Sequence, residues 1–399
     1  MSFKQVSILS SPNFAFISAL MGMYFLVPAI LGLFFIDDTY YVKLSLITLV
    51  ACCFIWVGSK INILDNRFLK NSPRISVSEK YFHWFIWISF LFFVTVTFIT
   101  APSIPFVSAL QGASLSDLSE ERGEFLKGRT GIESLLAYVS TLFTGALVPF
   151  SLAKLFLHNK RFRYILLSLF FCYCISFLQK ALFLNALLPI AFVLINKEDG
   201  INRGKQFLIL CGLIFTLYVM TKLASGNHDM EYFGPESMAH YFSAAYIPSN
   251  SIDHLLWRGT AVWVFTAVDT LHVIDEQFNG LWLWGATSSF LAAIFQLERI
   301  PLEKLVFEYQ WSWNDIGNSN SVYITEAYAN FGWLGIVTAS IFVGQSFRWF
   351  SKSQDISFKA LWPLYGFALF SSGLIGTLLS NGYVLVFLIG LFVKFRLNK

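Results

Sequence analysis

The chain has 399 residues, of which 56% are hydrophobic and only 13% charged. That balance places it among integral membrane proteins and argues against a soluble domain of ordinary composition. The formal net charge of +4 identifies no partner, but the distribution of charge along the chain is informative.

Apolar runs able to cross the roughly 30 Å hydrocarbon layer, or nearly so, occur at about 14–36, 42–58, 81–101, 132–156, 164–179, 181–195, 206–224, 322–347, 360–379 and 381–395. The first is too long for a signal-peptide core and lacks a small-residue cleavage site, so it reads as a retained span. Ten spans put both termini on one side. The N-terminus, the 59–80 linker, the turns at 154–163, 196–205 and 348–359, and the C-terminal tail carry 19 of the 28 Lys and Arg. Basic short loops stay in the cytoplasm, so both termini are expected there. The expected fold is a single all-α polytopic membrane domain over 1–399, with about ten transmembrane helices. Its two sizeable outer loops run over about 102–131 and 225–321.

The pair of runs at 164–195 holds one charge, Lys180, at its midpoint. One helix of that length would reach about 48 Å, too long for a single crossing, and two full spans would need roughly 40 residues. A short helical hairpin with Lys180 recessed at its turn fits better. A lysine there needs an anion, a carboxylate or open water, unless it snorkels to the interface.

The 225–321 loop contains six of the twelve tryptophans and four of the six histidines. Its apolar runs Thr260 to Ile274 and Leu281 to Leu297 are short for spans and read as interfacial or re-entrant helices. At its end, Gly317 to Gly335 joins the loop to the next span. Tyr323, Glu326 and Asn330 fall on one helical face there, and a carboxyl at that depth should face protein or a water-filled cavity. Gly332, Gly335 and Ala339 are small enough to admit a close neighbouring helix. The five cysteines all lie in apolar runs and read as buried thiols, not disulfides or metal ligands.

Cations outside the basic loops are few: Lys43, Arg122, Lys127, Arg129, Lys180, Lys222, Arg258, Arg299 and Lys304. Arginine matches phosphate oxygens with a planar fork and lysine adds a point charge. Arg122, Arg129, Lys180 and Arg258 are therefore candidates to hold a lipid diphosphate. Pairing with Glu120, Glu121 and Glu124 is the competing explanation for Arg122. The tryptophans suit stacking on sugar rings, and equally suit anchoring at the interface. No phosphate-binding glycine loop, His-Glu-x-x-His or cysteine-pair metal motif is present, so no metal or cofactor is expected, and either energy enters with the substrate or the protein performs no chemistry. An outward, acid-rich surface speaks against nucleic acid.

Four stretches resemble the Wzy class of bacterial oligosaccharide-repeat-unit polymerases, which build O-antigen and capsule-type polysaccharides in lipopolysaccharide and related pathways. They are Arg122 to Gly131, Leu178-Gln179-Lys180-Ala181-Leu182-Phe183, Arg258 ahead of its apolar helix, and Gly317-Asn318-Ser319-Asn320-Ser321 through Glu326 to Phe331-Gly332. The resemblance implies a GT-C-like glycosyltransferase of the bacterial inner membrane with its site facing the periplasm. Donor and acceptor are both oligosaccharides on undecaprenyl diphosphate, the anomeric centre inverts, and undecaprenyl diphosphate departs. A chain-length-regulating co-polymerase is a candidate partner besides membrane lipids. The resemblance implies diphosphate binding by Arg122 or Arg129, Lys180 and Arg258, and sugar contacts by Asn318, Asn320 and Tyr323. Related O-antigen ligases carry a histidine at the loop-to-span junction, where this chain has Asn320 and Ser321. The general base is therefore open between Glu326, the first choice, and His272, the second. An O-antigen ligase and a flippase or other transporter are the alternatives.

Overall fold

The computed structural model describes residues 11–61, 74–196 except 114, 127, 130 and 180, six positions between 204 and 218, 235–312, 317–319, and 321–396. Among these residues, five helices are long and apolar enough to cross a bilayer: Pro12–Phe34, Thr39–Lys60, Glu79–Thr100, Leu135–Leu157 and Tyr323–Lys352. The chain is a helical protein of membrane type. The 164–195 region forms the two short helices Arg163–Ser176 and Ala181–Ile195, and Leu178 turns between them with a φ of 56°. Lys180 lies outside the described residues, as does most of the 206–224 run.

Three departures from the sequence expectation have local causes. The 360–379 run is divided into Trp362–Ser371 and Leu374–Leu379. The last run ends as helix at Phe392, and Val393–Arg396 pairs as a parallel strand with Ile75–Ser78. The cysteines are all free, but Cys53, Cys172 and Cys211 are exposed and only Cys52 and Cys174 are buried. An apolar run hides a thiol from the polar loops, yet much of the surface of the apolar helices is not covered by the rest of the protein. Two spans also contain a widened π-helical turn, Met21–Leu26 and Phe143–Leu147. Each lies just ahead of a proline, Pro28 and Pro149. Proline lacks the N–H and crowds the carbonyl one turn back, and the wider turn accommodates both.

The chain divides into two units. The first comprises residues up to Leu64, Thr221–Lys352 and Gly366–Thr377. Its spine is the pairing of Thr39–Lys60 with Tyr323–Lys352. A side chain at Gly58 would collide with the carbonyl of Ile341, and one at Gly344 with the carbonyl of Ile55. The two backbones thus touch directly, the close approach that small residues permit between membrane helices. Gly344 meets the partner helix, whereas the expected Gly335 abuts Ala327 and Phe331 ahead of it in its own chain. Phe16 closes the core against Phe347 and Phe370, with ring centroids 4.7 and 5.4 Å away.

The second unit comprises Asp65–Met220, Ser353–Tyr365 and Leu378–Lys399. Its core is aromatic: Phe90, Phe93, Phe143, Phe170 and Tyr173 are buried together. At one end lies a polar network. Lys154 pairs with Asp355 at 2.8 Å and lies 3.9 Å from the Phe395 ring centroid. Glu79 faces both His83 and His158, at 3.4 and 3.5 Å. The Ser151 hydroxyl takes the Trp87 indole N–H and meets His83 Nδ1 at 2.7 Å. Four stretches assigned to one face by their basic charge (the 59–80 linker, the 154–163 and 348–359 turns and the tail) meet here.

Gly58→Ala and Gly344→Ala should each lower stability by about 1–3 kcal/mol, as for overpacking a tight core. That outweighs the roughly 1 kcal/mol helix-propensity gain of alanine over glycine. Gly22→Ala, with nothing within 4 Å of the added methyl, should be neutral or stabilising. Thermal unfolding in detergent measures all three.

Candidate functional site

The Tyr323–Lys352 helix is broken. Phe331 (φ −139°, ψ 17°) and Gly332 (φ 57°, ψ −142°) leave helical geometry, so a short helix over 323–330 precedes a longer one. Gly332 is required twice over. Its positive φ strains any residue with a Cβ, and the Trp282 indole occupies the space a Cβ would need. A break exposes backbone groups that the helix would otherwise pair. Here the segment from Trp282 to Thr287 supplies partners. The Leu283 N–H donates to the Ala329 carbonyl and the Trp284 N–H to the Asn330 carbonyl, both at 2.9 Å. The expected helix over Leu281 to Leu297 is therefore a strap followed by the short helix Ser289–Phe295. Apolar content suggested a helix, but Trp284 and Gly285 adopt positive φ and donate their amides outward.

Glu326 lies inside this strap. Its Oε1 accepts a hydrogen bond from the Thr287 hydroxyl at 2.8 Å. Its Oε2 lies over Gly373, where any Cβ would overlap the carboxylate. Asn330 joins the same group: its amide nitrogen donates to Thr287 Oγ1 at 2.7 Å and to the Glu326 carbonyl at 2.9 Å. Its amide oxygen accepts from the Gly285 N–H at 2.9 Å. Glu326 and Asn330 thus share a face as expected from their spacing. Tyr323 does not join them; it is fully buried, its hydroxyl 3.2 Å from Ser340 Oγ.

His272, in the Ala261–Phe278 helix, belongs to a second cluster in the same unit. Asp38 caps the Thr39–Lys60 helix, Oδ1 accepting from the Tyr40 N–H, while Oδ2 lies 2.9 Å from His272 Nε2. His272 Nδ1 faces Glu276 at 3.6 Å. The imidazole is flanked by the rings of Tyr40 and Tyr309, with centroids 4.0 and 6.2 Å away. Lys43 pairs with Asp275 at 2.9 Å and lies over the rings of Tyr40 and Tyr328. Burial pushes the Asp269 carboxyl up to about 6, and Asp38 adds to the shift, against the opposing pull of the Gln310 amide and His272. Lys43, despite the desolvation of the site, holds Asp275 below the ordinary carboxylate range with the help of Tyr40.

The remaining candidates are placed as follows. Arg258 is exposed in the last turn of Ser251–Gly259, an amphipathic helix capped by the Asn250 side chain. It precedes the apolar helix across a break at Thr260 instead of opening it. Arg122 is exposed on Leu115–Glu124 in the second unit. Arg129, also in that unit, is buried and committed to its own chain. It donates to the carbonyls of Phe125 and Thr97, at 2.7 and 2.9 Å, and to the Thr100 hydroxyl. Asn318 is exposed beside Ser319, whose N–H donates to the Glu303 carbonyl at 2.8 Å. Gly317 leaves no room for a side chain against the Phe307 ring. Asn320, like Lys180, lies outside the described residues. Sequence reading missed Thr287, Gly373, Asp38 and Tyr309. Asp38 ahead of Thr39 carried a helix-cap signal, whereas Thr287 and Gly373 carried none. Among the described residues, no group of three or more His, Cys, Asp or Glu could hold a metal ion.

No protein-family model, curated protein or solved structure matches the chain.

The raised Asp269 carboxyl has a signed consequence. A carboxyl whose folded value lies above its unfolded one favours the protonated fold, so stability falls as pH rises from about 4 to 6. Asp269→Asn keeps an oxygen for the Gln310 amide and removes the charge. It should flatten that dependence, a difference of at most about 3 kcal/mol, seen as unfolding temperatures in detergent at pH 4.5 and 7.5.

Proposed function

We propose that the protein is a membrane glycosyltransferase that polymerises oligosaccharide repeat units carried on undecaprenyl diphosphate, at the outer face of the bacterial inner membrane. The observation that carries this reading is the Glu326 carboxylate. One oxygen is held by Thr287 and the other lies over Gly373, beside a strap bearing Trp282 and Trp284. A carboxylate held in one orientation suits the removal of a proton from a sugar hydroxyl, and the strap's tryptophans suit stacking on sugar rings. Glu326 is preferred to His272, whose Nε2 is taken by Asp38 at 2.9 Å and whose Nδ1 has the Glu276 carboxylate 3.6 Å away, so that His272 sits within an ion network while Glu326 has neutral partners.

In this mechanism a hydroxyl oxygen of the acceptor glycan attacks the anomeric carbon of the donor and forms the new glycosidic bond. Its proton passes to Glu326. The bond from the anomeric carbon to the diphosphate oxygen breaks, the electron pair leaves with undecaprenyl diphosphate, and the configuration inverts. Negative charge grows on the departing diphosphate, so fixed cations would stabilise the transition state more than the ground state. Arg258, in the same unit as Glu326, is proposed for that role. Arg129 is assigned to holding the 125–133 segment on the end of the Glu79–Thr100 helix.

The test uses purified protein in detergent with an undecaprenyl-diphosphate-linked repeat unit and no membrane gradient. Lengthened lipid-linked products are expected. Transfer only to a lipid A core would favour a ligase, and absence of any glycosyl transfer would favour transport. Glu326→Gln should reduce the rate by roughly 10²–10⁴-fold, the usual contribution of a general base. Arg258→Ala should reduce it by on the order of ten- to a thousand-fold, and a near-normal product ladder would remove the diphosphate assignment.

A further inference from the structure

The hydrogen bonds around Glu326 form a chain whose direction is fixed from one end. The Gly285 N–H can only donate, so the Asn330 atom it meets at 2.9 Å is the amide oxygen. The Glu326 carbonyl can only accept, so the Asn330 atom 2.9 Å from it is the amide nitrogen. Two obligate partners of opposite kind exclude the flipped amide. The second hydrogen of that nitrogen then points at Thr287 Oγ1, 2.7 Å away. With a lone pair engaged by Asn330, the Thr287 hydroxyl turns its own hydrogen to Glu326 Oε1 at 2.8 Å. Oε1 is therefore an acceptor of this bond.

We infer that Thr287 and Asn330 are positioning residues that make Oε2 the proton-accepting atom of Glu326. The inference rests on Glu326 being the base proposed above. Oε2 packs directly against Gly373, where any Cβ would overlap it, so the carboxylate plane is set from both sides: a hydroxyl donor on one oxygen and a close-packed glycine against the other. The acceptor hydroxyl's proton goes to Oε2 while Oε1 keeps the Thr287 bond, which holds the carboxylate to one orientation through proton transfer. Positioning of this kind raises the rate without adding substrate contacts. Among the described residues, Glu303, from the Leu302–Gln310 helix, is the charged group that bears on Glu326.

Three variants of the whole protein test the inference in the detergent assay. Thr287→Val keeps the shape and removes the hydroxyl. Asn330→Asp keeps the Gly285 contact but replaces the donor facing Thr287 with an acceptor, which turns the threonine hydrogen away from Glu326. Both should lower kcat about 10–100-fold with KM changed less than about threefold, and both should displace the acidic limb of the pH–rate profile. Thr287→Ser, which restores the hydroxyl, should recover most of the rate. Equal loss in Thr287→Ser and Thr287→Val, or unchanged profiles in Thr287→Val and Asn330→Asp, would overturn the inference. If a variant does not fold, infrared spectroscopy of the wild-type chain reads the same bond, with Glu326→Gln identifying the band. On acidification the Glu326 carbonyl stretch should show the red shift of a hydrogen-bonded acceptor, and an unshifted band would refute the inference. Failure of the parent reading has a different signature: full activity in Glu326→Gln, or no glycosyl transfer by the wild-type chain.

Discussion

The break at Phe331–Gly332 is the constraint from which the rest of the first unit follows. A helix interrupted ahead of a span leaves polar backbone groups with no partner of their own, and in an apolar setting each such group costs several kcal/mol. The Trp282–Thr287 strap answers that need by donating consecutive amides to the carbonyls of Ala329 and Asn330. Once the strap is so placed, Thr287 falls beside Glu326, Trp282 covers Gly332, and Gly285 pins the Asn330 side chain. The candidate chemistry is therefore a by-product of repairing a helix.

The two polar clusters of this unit differ in kind. Around Glu326 the partners are neutral: a hydroxyl, an amide and a glycine backbone. Around His272 they are ionic, with Asp38, Glu276, Lys43 and Asp275 close together and tyrosine rings between. Neutral partners orient a carboxylate without cancelling its charge, whereas an ion network balances charge locally and joins helices. The ionic cluster fastens the Thr39–Lys60 and Ala261–Phe278 helices to each other, whereas the neutral one orients a single carboxyl group.

Much of the architecture was legible because apolar runs and proline positions act locally. The spans at 42–58, 81–101 and 132–156 became helices within a few residues of their expected ends, and the 164–195 pair became two short helices. The strap was not legible. Leu281 to Leu297 is as apolar as a helix, and only the distant carbonyls of residues 329 and 330 make its extended course favourable. Of the site, the Glu326–Asn330 pair followed from helical spacing, since residues four apart share a face. Thr287 and Gly373 stand 39 and 47 positions from Glu326, and no periodicity links them. Tyr323 obeyed the same spacing, yet its hydroxyl meets Ser340 beyond the break.

The direct meeting of strap amides and helix carbonyls also bears on what the membrane retains. Bare carbonyls at an interrupted helix recruit water, and a file of water through a bilayer conducts protons. Here those acceptors are already occupied by Leu283 and Trp284, and an indole seals the glycine. The discontinuity can thus be kept dry, so the Glu326 side chain sits at the head of a span without opening a leak in the permeability barrier around it.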